Sequence, residues 1–518
     1  MFGNINIKQG EFPGKGEVLI QIIFEDSYKK DDYLQLLDKK TGKKLSNKLK
    51  RHDFTGKEEQ MVCLEFDGFY QHLIIIGAGK TKEFNLTKWK KLLADGFHQA
   101  QSLKHSSVTT SYFDHLGKDF SEIGKNCSLA FYLANYHFDR YKSEEERKKT
   151  NKIENLKLII EPKYTSEVYL GALKQGIKYG KLLSEGIYLA RDLVNQPASH
   201  LHPEILVEEA FKIEKESRGR ISVEILDEDE CRRLGMGAFL GVAQGSDHKP
   251  KFIILKYQKP KIKNNNLTMK QFNNVKICLI GKSITFDSGG LSLKPSSGME
   301  TMKIDMAGGA TVLGIFKILA NSDSTKYTSE VYGILPACEN MPSGKAIRPG
   351  DIVTTVNNKT IEVVNTDAEG RLTLADAISY TEKYLKPDVI IDLATLTGAC
   401  MVALGKEITG MFGNDEKTLD TINQLAKKEG EELWPMPLYK PYAKGLKSDI
   451  ADLKNITGKG YGGAITAALF LSEFVKKSKW IHLDIAGPAF NEDSVHNIIP
   501  KGGTGWGVLT IMSFLISS

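Results

Sequence analysis

The sequence predicts an α/β protein: a small N-terminal α/β domain, then a larger catalytic α/β domain with a mostly parallel central sheet covered by helices. Three observations predict it. Strand-like runs alternate with helical ones along most of the 518 residues, the pattern of a sheet covered on both faces. The hydrophobic content of 41% and charged content of 26% are those of an ordinary globular protein. Charged residues also cluster directly after strand-like runs, where open α/β sheets keep their ligands.

The length would accommodate about three average domains, but α/β domains routinely exceed the average, so two are expected. Residues 1–165 form the first. Within it, runs 17–24, 61–66, 72–76 and 156–160 read as strands, and 86–94 and 129–136 as helices. Gly77-Ala-Gly-Lys-Thr81 looks like the end of a phosphate-binding loop. The full pattern needs glycine at position 74, where Ile74 stands, so a strand-terminating turn is expected. The charge run 142–152 reads as a solvated loop. Residues 164–193 predict a long helix whose glycines at 171, 176, 180 and 186 call for close packing against another element.

The second domain spans 166–518, with 166–193 as the connecting helix. Its candidate strands are 223–226, 252–257, 275–280, 330–336, 389–394 and 480–485. Between the second and third lies 258–274, rich in Lys and Asn, which reads as an exposed insertion.

Composition excludes several function classes. Lys plus Arg of 70 against Asp plus Glu of 64 leaves +6, a weak basis for nucleic-acid binding. The first 26 residues lack the apolar core of a signal peptide. The most apolar long run, 389–404, is interrupted by Asp392 and too short to span a membrane. Six cysteines, scattered without a C-x-x-C pair, read as reduced thiols of a cytosolic protein.

Two clusters carry the chemistry. Asn365-Thr-Asp-Ala-Glu-Gly-Arg-Leu372 follows valines that read as a strand end and precedes an amphipathic helix over 372–385. Asp367 and Glu369, two apart, project from one face of an extended chain, and two carboxylates facing one way want a cation. Taken alone, Thr366 or Asp367 could equally be a helix cap. The second cluster, Gly281-Lys-Ser-Ile-Thr-Phe-Asp-Ser-Gly-Gly-Leu-Ser-Leu-Lys294, followed by Asp305, also leaves a strand. Charges gathered at one sheet edge and buried there must be paired or metal-bound.

At these residues the chain resembles the leucyl aminopeptidases, hexameric two-metal enzymes that remove N-terminal residues from peptides. The resemblance rests on 281–290, on Glu339-Asn-Met-Pro-Ser-Gly344 with Arg348-Pro-Gly-Asp351, and on 365–376. It also rests on Asp192-Leu-Val-Asn-Gln-Pro197, Ala394-Thr-Leu-Thr-Gly-Ala399 and His482-Leu-Asp-Ile-Ala-Gly487. It covers about residues 190–510, with a looser match before 165, where the family has a domain resembling the macro fold. It implies that Lys282, Asp287, Asp305 and Glu369 hold a tightly bound metal, and Asp287, Asp367 and Glu369 an exchangeable one. Lys294 and Arg371 match the catalytic positions, and Met302, Thr395, Gly398, Ala486 and Ala489 fall around the side-chain pocket. Ser283 stands where glycine is expected.

The implied cofactors are two divalent ions per subunit, zinc first, with manganese, magnesium or cobalt at the exchangeable site, and bicarbonate as bound general base. Peptide or amino-acid amide substrates, a cytoplasmic homohexamer and preference for Leu or another apolar residue follow from the same resemblance; a membrane partner does not. Lys282 can ligate only as a neutral amine, and an adjacent dication lowers its pKa in that direction. There is no H-E-x-x-H among the eleven histidines, and His200, His202 and His482 read as structural. Ser288 lacks the setting of a nucleophile elbow, and 502–507 reads as a tight glycine turn. The competing functions are a nucleic-acid-binding regulator, suggested by lysine clusters in the first domain, and a two-metal phosphoesterase.

Overall fold

The computed structural model describes residues 3–9, 16–65, 70–111, 116–258, 275–323, 327, 329–458 and 460–517. They fall into two compact units, Met1–Ser184 with Asp493–Pro500, and Glu185–Glu492 with Lys501–Ser518. A 29-residue helix, Glu167–Asn195, runs from one into the other. Its glycines are explained by close approach: a Cβ at Gly176 would lie 2.0 Å from the Ser121 carbonyl oxygen, and one at Gly180 2.5 Å from that of Lys125. Gly171 faces open space and has no such reason.

The first unit holds six strands: β1 (Asn4–Gln9), β2 (Gly16–Ile23), β3 (Met61–Glu65), β4 (Tyr70–Gly77), β5 (Ser107–Ser111) and β6 (Asn155–Ile160). Their order is β1-β6-β5-β2-β4-β3, with only β3 antiparallel to its neighbour. The period-2 rule is visible in β2. Val18, Ile20 and Ile22 pack with the helices Leu86–Ser102 and Phe120–Ala134, while Leu19 and Ile23 face Leu37, Leu45 and Leu49 of Asp32–Lys40 and Lys44–Arg51. The sequence reading missed β1, β5 and these last two helices. β5 is Ser-Val-Thr-Thr-Ser, polar by composition although four of its five residues are buried. The 142–152 charge run carries one short helix, Glu144–Lys148, with no buried residue. At Gly77–Thr81 the Thr81 amide and hydroxyl both donate to the Asp26 carboxylate, which places an anion where a phosphate would sit and uses those two donors.

The second unit adds β7 (Ile221–Leu226), β8 (Lys251–Tyr257), β9 (Lys276–Gly281), β10 (Ser283–Asp287), β11 (Glu330–Asn340), β12 (Ile352–Thr354), β13 (Thr360–Glu362), β14 (Val389–Ala394), β15 (Thr409–Gly413), β16 (Leu433–Pro435), β17 (Leu453–Lys454) and β18 (Lys479–Asp484). The central sheet runs β16-β15-β18-β14-β9-β11-β8-β7, with β10 also on β11. Its middle strands β18, β14, β9 and β11 are parallel; β8 is antiparallel to β11 and β15 to β18, while β7, antiparallel to β8, runs with the middle strands. The predicted strands all appear here, and β10, β12, β13 and β15–β17 are additions. From residue 259 the expected insertion lies outside the described residues.

One helical stretch, Ser296–Asn321, is long and apolar enough to cross a membrane, yet 83% of its most apolar window is buried inside the protein. Its helix Ala307–Asn321 is a core helix with thirteen buried residues. The 389–404 run is instead divided between β14 and the helix Gly398–Leu404.

One buried carboxylate serves this architecture. Asp376 is fully buried on the helix Glu369–Tyr380 and accepts the backbone N–H groups of Phe239 at 2.8 Å and Val356 at 2.9 Å. Burial lifts its carboxyl to about 7, and it remains an acceptor in either protonation state. Asp376→Ala is expected to orphan two buried N–H groups and cost roughly 2 to 6 kcal/mol of stability, at 1 to 3 per unsatisfied group. Denaturant unfolding would read this as a lower midpoint at unchanged slope.

Candidate metal centre

The C-terminal ends of β9 and β10 deliver Lys282 and Asp287. β9 and β10 follow one line along β11, β9 opposite Glu330–Ile334 and β10 opposite Ala337–Asn340. Between them the chain breaks pairing at Lys282, whose amide instead donates to the Leu393 carbonyl at 3.0 Å. That break turns the Lys282 side chain inward. Asp287 ends β10 and Asp305 precedes the core helix Ala307–Asn321, while Glu369 and Arg371 lie in the first turn of the helix Glu369–Tyr380. The turn before that helix follows β13, which belongs to a separate sheet, β12-β13-β17. The Asn365–Leu372 cluster therefore does not leave the central sheet, contrary to the sequence expectation.

The acids and lysines meet. The Lys282 ammonium contacts Asp305 Oδ1 at 2.7 Å and Glu369 Oε1 at 2.9 Å, and donates to the Thr395 carbonyl at 3.1 Å. Lys294 lies 2.8 Å from Asp287 Oδ2 and 2.5 Å from Asp367 Oδ1. Ligand atoms of Asp287, Asp367 and Glu369 fall within 4.8 Å of one another. Lys282, Asp287, Asp305 and Glu369 are each at most 3% exposed.

The electrostatics show a deficit of positive charge. Burial pushes the Asp287, Asp305 and Asp367 carboxyls above their ordinary range, and neighbouring carboxylates add to it. Burial depresses both ammonium groups, but the surrounding acids outweigh it and hold Lys282 and Lys294 above the usual lysine value. Four carboxylates face two lysines here. Two of their buried oxygens, Asp305 Oδ2 and Glu369 Oε2, have no hydrogen-bond partner. Unpaired buried carboxylate oxygens are costly, and an oxygen-rich donor set of this kind suits hard or borderline dications. The residues present fit a metal.

Supporting residues to which the sequence assigned no such role fix these donors. Asn340, cross-strand partner of Asp287, donates to Asp287 Oδ1 at 2.8 Å and to the Thr366 carbonyl at 3.0 Å. With the Gly289 N–H also on Oδ1 at 2.9 Å, this oxygen is held and Oδ2 is presented. The Thr395 hydroxyl donates to Asp305 Oδ1 at 2.8 Å. Asn455, fully buried, accepts from the Val364 amide at 2.8 Å, donates to the Asn365 carbonyl at 2.6 Å and receives Arg371 Nη1 on its own carbonyl at 2.7 Å. Single asparagines carry no periodicity or motif, so no signal marked them. Glu339-Asn340 did lie inside a matched stretch.

The cap reading fails: Ala368 occupies the cap position without a side-chain bond. Thr366 instead stitches two loops, donating to the Gly289 carbonyl at 2.6 Å and accepting from the Ser292 amide at 2.8 Å. Arg371 is lowered to about 10 by burial and stays charged at neutral pH. Ser283, the departure from the expected glycine, donates to the Gly281 carbonyl at 2.8 Å. It fits because Gly309 has no Cβ, which would lie 2.1 Å from its hydroxyl.

Of the expected pocket residues, Thr395 touches the cluster directly. Met302 lies three positions before Asp305, and Gly398 opens a helix where an added Cβ would meet nothing within 4 Å. Ala486 is tied in through buried Asp484, whose Oδ1 accepts the N–H groups of Leu396 and Ala486, both at 3.2 Å. Ala489 is buried next to that turn, with its carbonyl accepting the Thr504 amide at 3.1 Å. His482 is structural as expected, held 2.5 Å from Asp392 Oδ1, whose other oxygen takes the Trp480 indole at 2.7 Å.

Gly370 has a steric reason: an added Cβ would lie 2.4 Å from Lys282 Cε and 2.6 Å from its Nζ. Gly370→Ala is expected to displace the Lys282 amine and lower kcat/KM by about 10²-fold, the scale for an ångström of misplacement. The thermal midpoint should barely move, because the clash falls on the end of a side chain. An unchanged kcat/KM would show that Lys282 can shift freely.

Residues 188–512 match the cytosol aminopeptidase family, catalytic domain, and residues 22–145 match the cytosol aminopeptidase family, N-terminal domain. A probable cytosol aminopeptidase of Microcystis aeruginosa is 42% identical over 484 residues, 93% of each chain. Another, of Gloeobacter violaceus, is 39% identical over 526 residues, covering 100% of this chain and 99% of its own. Among solved structures, a tomato leucine aminopeptidase mutant superposes with a TM-score of 0.86 at 35% identity, covering 100% of this chain and 97% of its own. The bottromycin maturation enzyme BotP in complex with Mn gives 0.81 at 27% identity, covering 97% and 99%.

Proposed function

Because this chain belongs to the cytosol aminopeptidase family, we propose that its carboxylate cluster holds two divalent ions and that it cleaves N-terminal Leu or another apolar residue from peptides and amino-acid amides. That it is an aminopeptidase follows from the family, its relatives and the tomato enzyme's fold. The observation that carries the finer reading is the pair of unpartnered buried oxygens, Asp305 Oδ2 and Glu369 Oε2, beside carboxyls that burial and mutual repulsion push upward.

Lys282, Asp287, Asp305 and Glu369 would hold the tighter ion, and Asp287, Asp367 and Glu369 the exchangeable one. Zinc is the first choice, with manganese, magnesium or cobalt at the second site; the manganese in BotP supports a site of this kind. Bound there, the ions supply Lewis acidity and a water whose pKa falls toward about 7. The chain's own residues do the rest. The orphaned oxygens and Asp287 Oδ2 set where charge is held. Lys294, beside Asp287 and Asp367, would offer its ammonium to the scissile carbonyl as oxyanion charge develops. Arg371 and the uncapped N–H groups of its helix start form an anion site, where bicarbonate would supply the general base. Met302, Thr395, Gly398, Ala486 and Ala489 shape an apolar side-chain pocket, with Met302 as an adaptable wall.

This machinery is assigned to residues 166–518, with 166–193 as the connecting helix and 1–165 as a separate N-terminal domain. A cytoplasmic homohexamer is the assembly proposed, on family grounds. The test is hydrolysis of leucine amide with and without chelator. Release of leucine that stops on chelation and returns with added metal is expected. Salt-sensitive DNA retention without hydrolysis would support the nucleic-acid regulator instead.

A further inference from the structure

Away from the carboxylate cluster, two histidines from separate segments turn the same ring nitrogen toward one carboxylate oxygen. His202 begins the helix Pro203–Glu216 but does not cap it; its Nδ1 lies 2.7 Å from Glu204 Oε2. His248, from the loop before β8, points its Nδ1 at the same oxygen from 3.9 Å. The two imidazoles stack with centroids 4.3 Å apart and planes 8° from parallel. All three donor atoms lie within 4.8 Å of one another.

We infer that His202, Glu204 and His248 form a second metal site, for zinc or a chemically similar transition metal such as cobalt(II), outside the catalytic cluster. Two imidazoles and one carboxylate are a donor set that zinc takes with a water in the fourth position. Imidazole disfavours magnesium and calcium there. A tetrahedral ion with bonds near 2.0 to 2.1 Å separates its donors by roughly 3.3 Å, and the observed 2.7 and 3.9 Å straddle that spacing. Binding replaces the proton between His202 and Glu204, and requires the His248 ring to leave its stack and approach. With side-chain exposure of 45%, that ring can turn.

The backbone on each side is already anchored. Leu201 and Leu206 are buried around the helix start. On the other side the Ser246 hydroxyl donates to Glu339 Oε2 at 2.6 Å and accepts the His248 amide at 3.0 Å. The neighbouring cation Lys249 is drawn off to Glu228 at 2.9 Å, so it does not compete with a dication for Glu204. The ion would clip the 244–250 loop to the helix.

The test compares the full-length protein with His202→Gln and His248→Gln, each stripped of metal and dialysed against the same cobalt(II) buffer. Wild type should bind one more cobalt per chain than either variant, and show ligand-field absorption that both variants lose. At this site either substitution should weaken binding at least about tenfold, the upper range for losing even an outer-shell partner being 10- to 100-fold. Leucine amide hydrolysis should stay at the wild-type level in both, separating this ion from those of the catalytic cluster. Equal cobalt content and equal spectra in all three proteins would overturn the site and leave a hydrogen-bonded histidine pair. Glu204→Gln gives a second reading, since removing the only charge should also release the ion.

Discussion

Glu369→Gln is expected to reduce leucine amide hydrolysis by about three orders of magnitude or more, the several kcal/mol that metal-assisted charge stabilisation supplies. The same variant should retain fewer divalent ions per chain by elemental analysis. Glutamine keeps the volume and one acceptor, so Lys282, now 2.9 Å from Oε1, can still be satisfied. It replaces an orphaned anionic oxygen with a neutral group and removes one of the two acids assigned to both ions. Stability in the metal-free state should change little. Losing the negative charge opposite Lys282 destabilises, but relief of the repulsion that Glu369 exerts on Asp287 and Asp305 compensates. A variant with full metal content and near-normal turnover would remove Glu369 from the site.

The contrast between what was legible in the sequence and what was not follows from the range of each interaction. The strands β9, β14 and β18 are short apolar runs bounded by charged or glycine residues, and hydrophobic periodicity reports such elements locally. The two charged clusters were legible because several ionisable residues fall within a few positions of one another. β10 was not, because Lys282 and Gly281 interrupt what is one line of pairing along β11, and an interrupted strand reads as a loop. Asn455 was invisible for a different reason. It lies about ninety positions from the turn it organises, and an isolated amide has no pattern to betray its partners. The same holds for residues 493–500, which join the first unit although the chain around them belongs to the second. The role of Thr366 stayed open because a threonine there fits a cap as well as a loop tie; only the hydroxyl's actual acceptor, the Gly289 carbonyl, distinguishes the roles.

Lys294→Ala should lower kcat by about 10² to 10³-fold, or 2.7 to 4 kcal/mol, the usual result of deleting one oxyanion donor. KM for leucine amide should move little, since an interaction strengthened only as negative charge develops contributes to kcat and not to ground-state binding. Metal content separates this outcome from loss of the ions. In the present geometry the Lys294 ammonium occupies Asp287 Oδ2 at 2.8 Å and Asp367 Oδ1 at 2.5 Å, so its removal frees ligand oxygens and should leave ion binding equal or tighter. Lys294→Arg should not restore the rate. The site is shaped for a compact charge on a flexible stem, and a planar fork cannot make the same approach between two carboxylates. If Lys294→Ala kept near-wild-type kcat with both ions bound, oxyanion stabilisation would have to come from the metals alone. If it lost the ions as well, Lys294 would be part of the structure of the site and not of its chemistry.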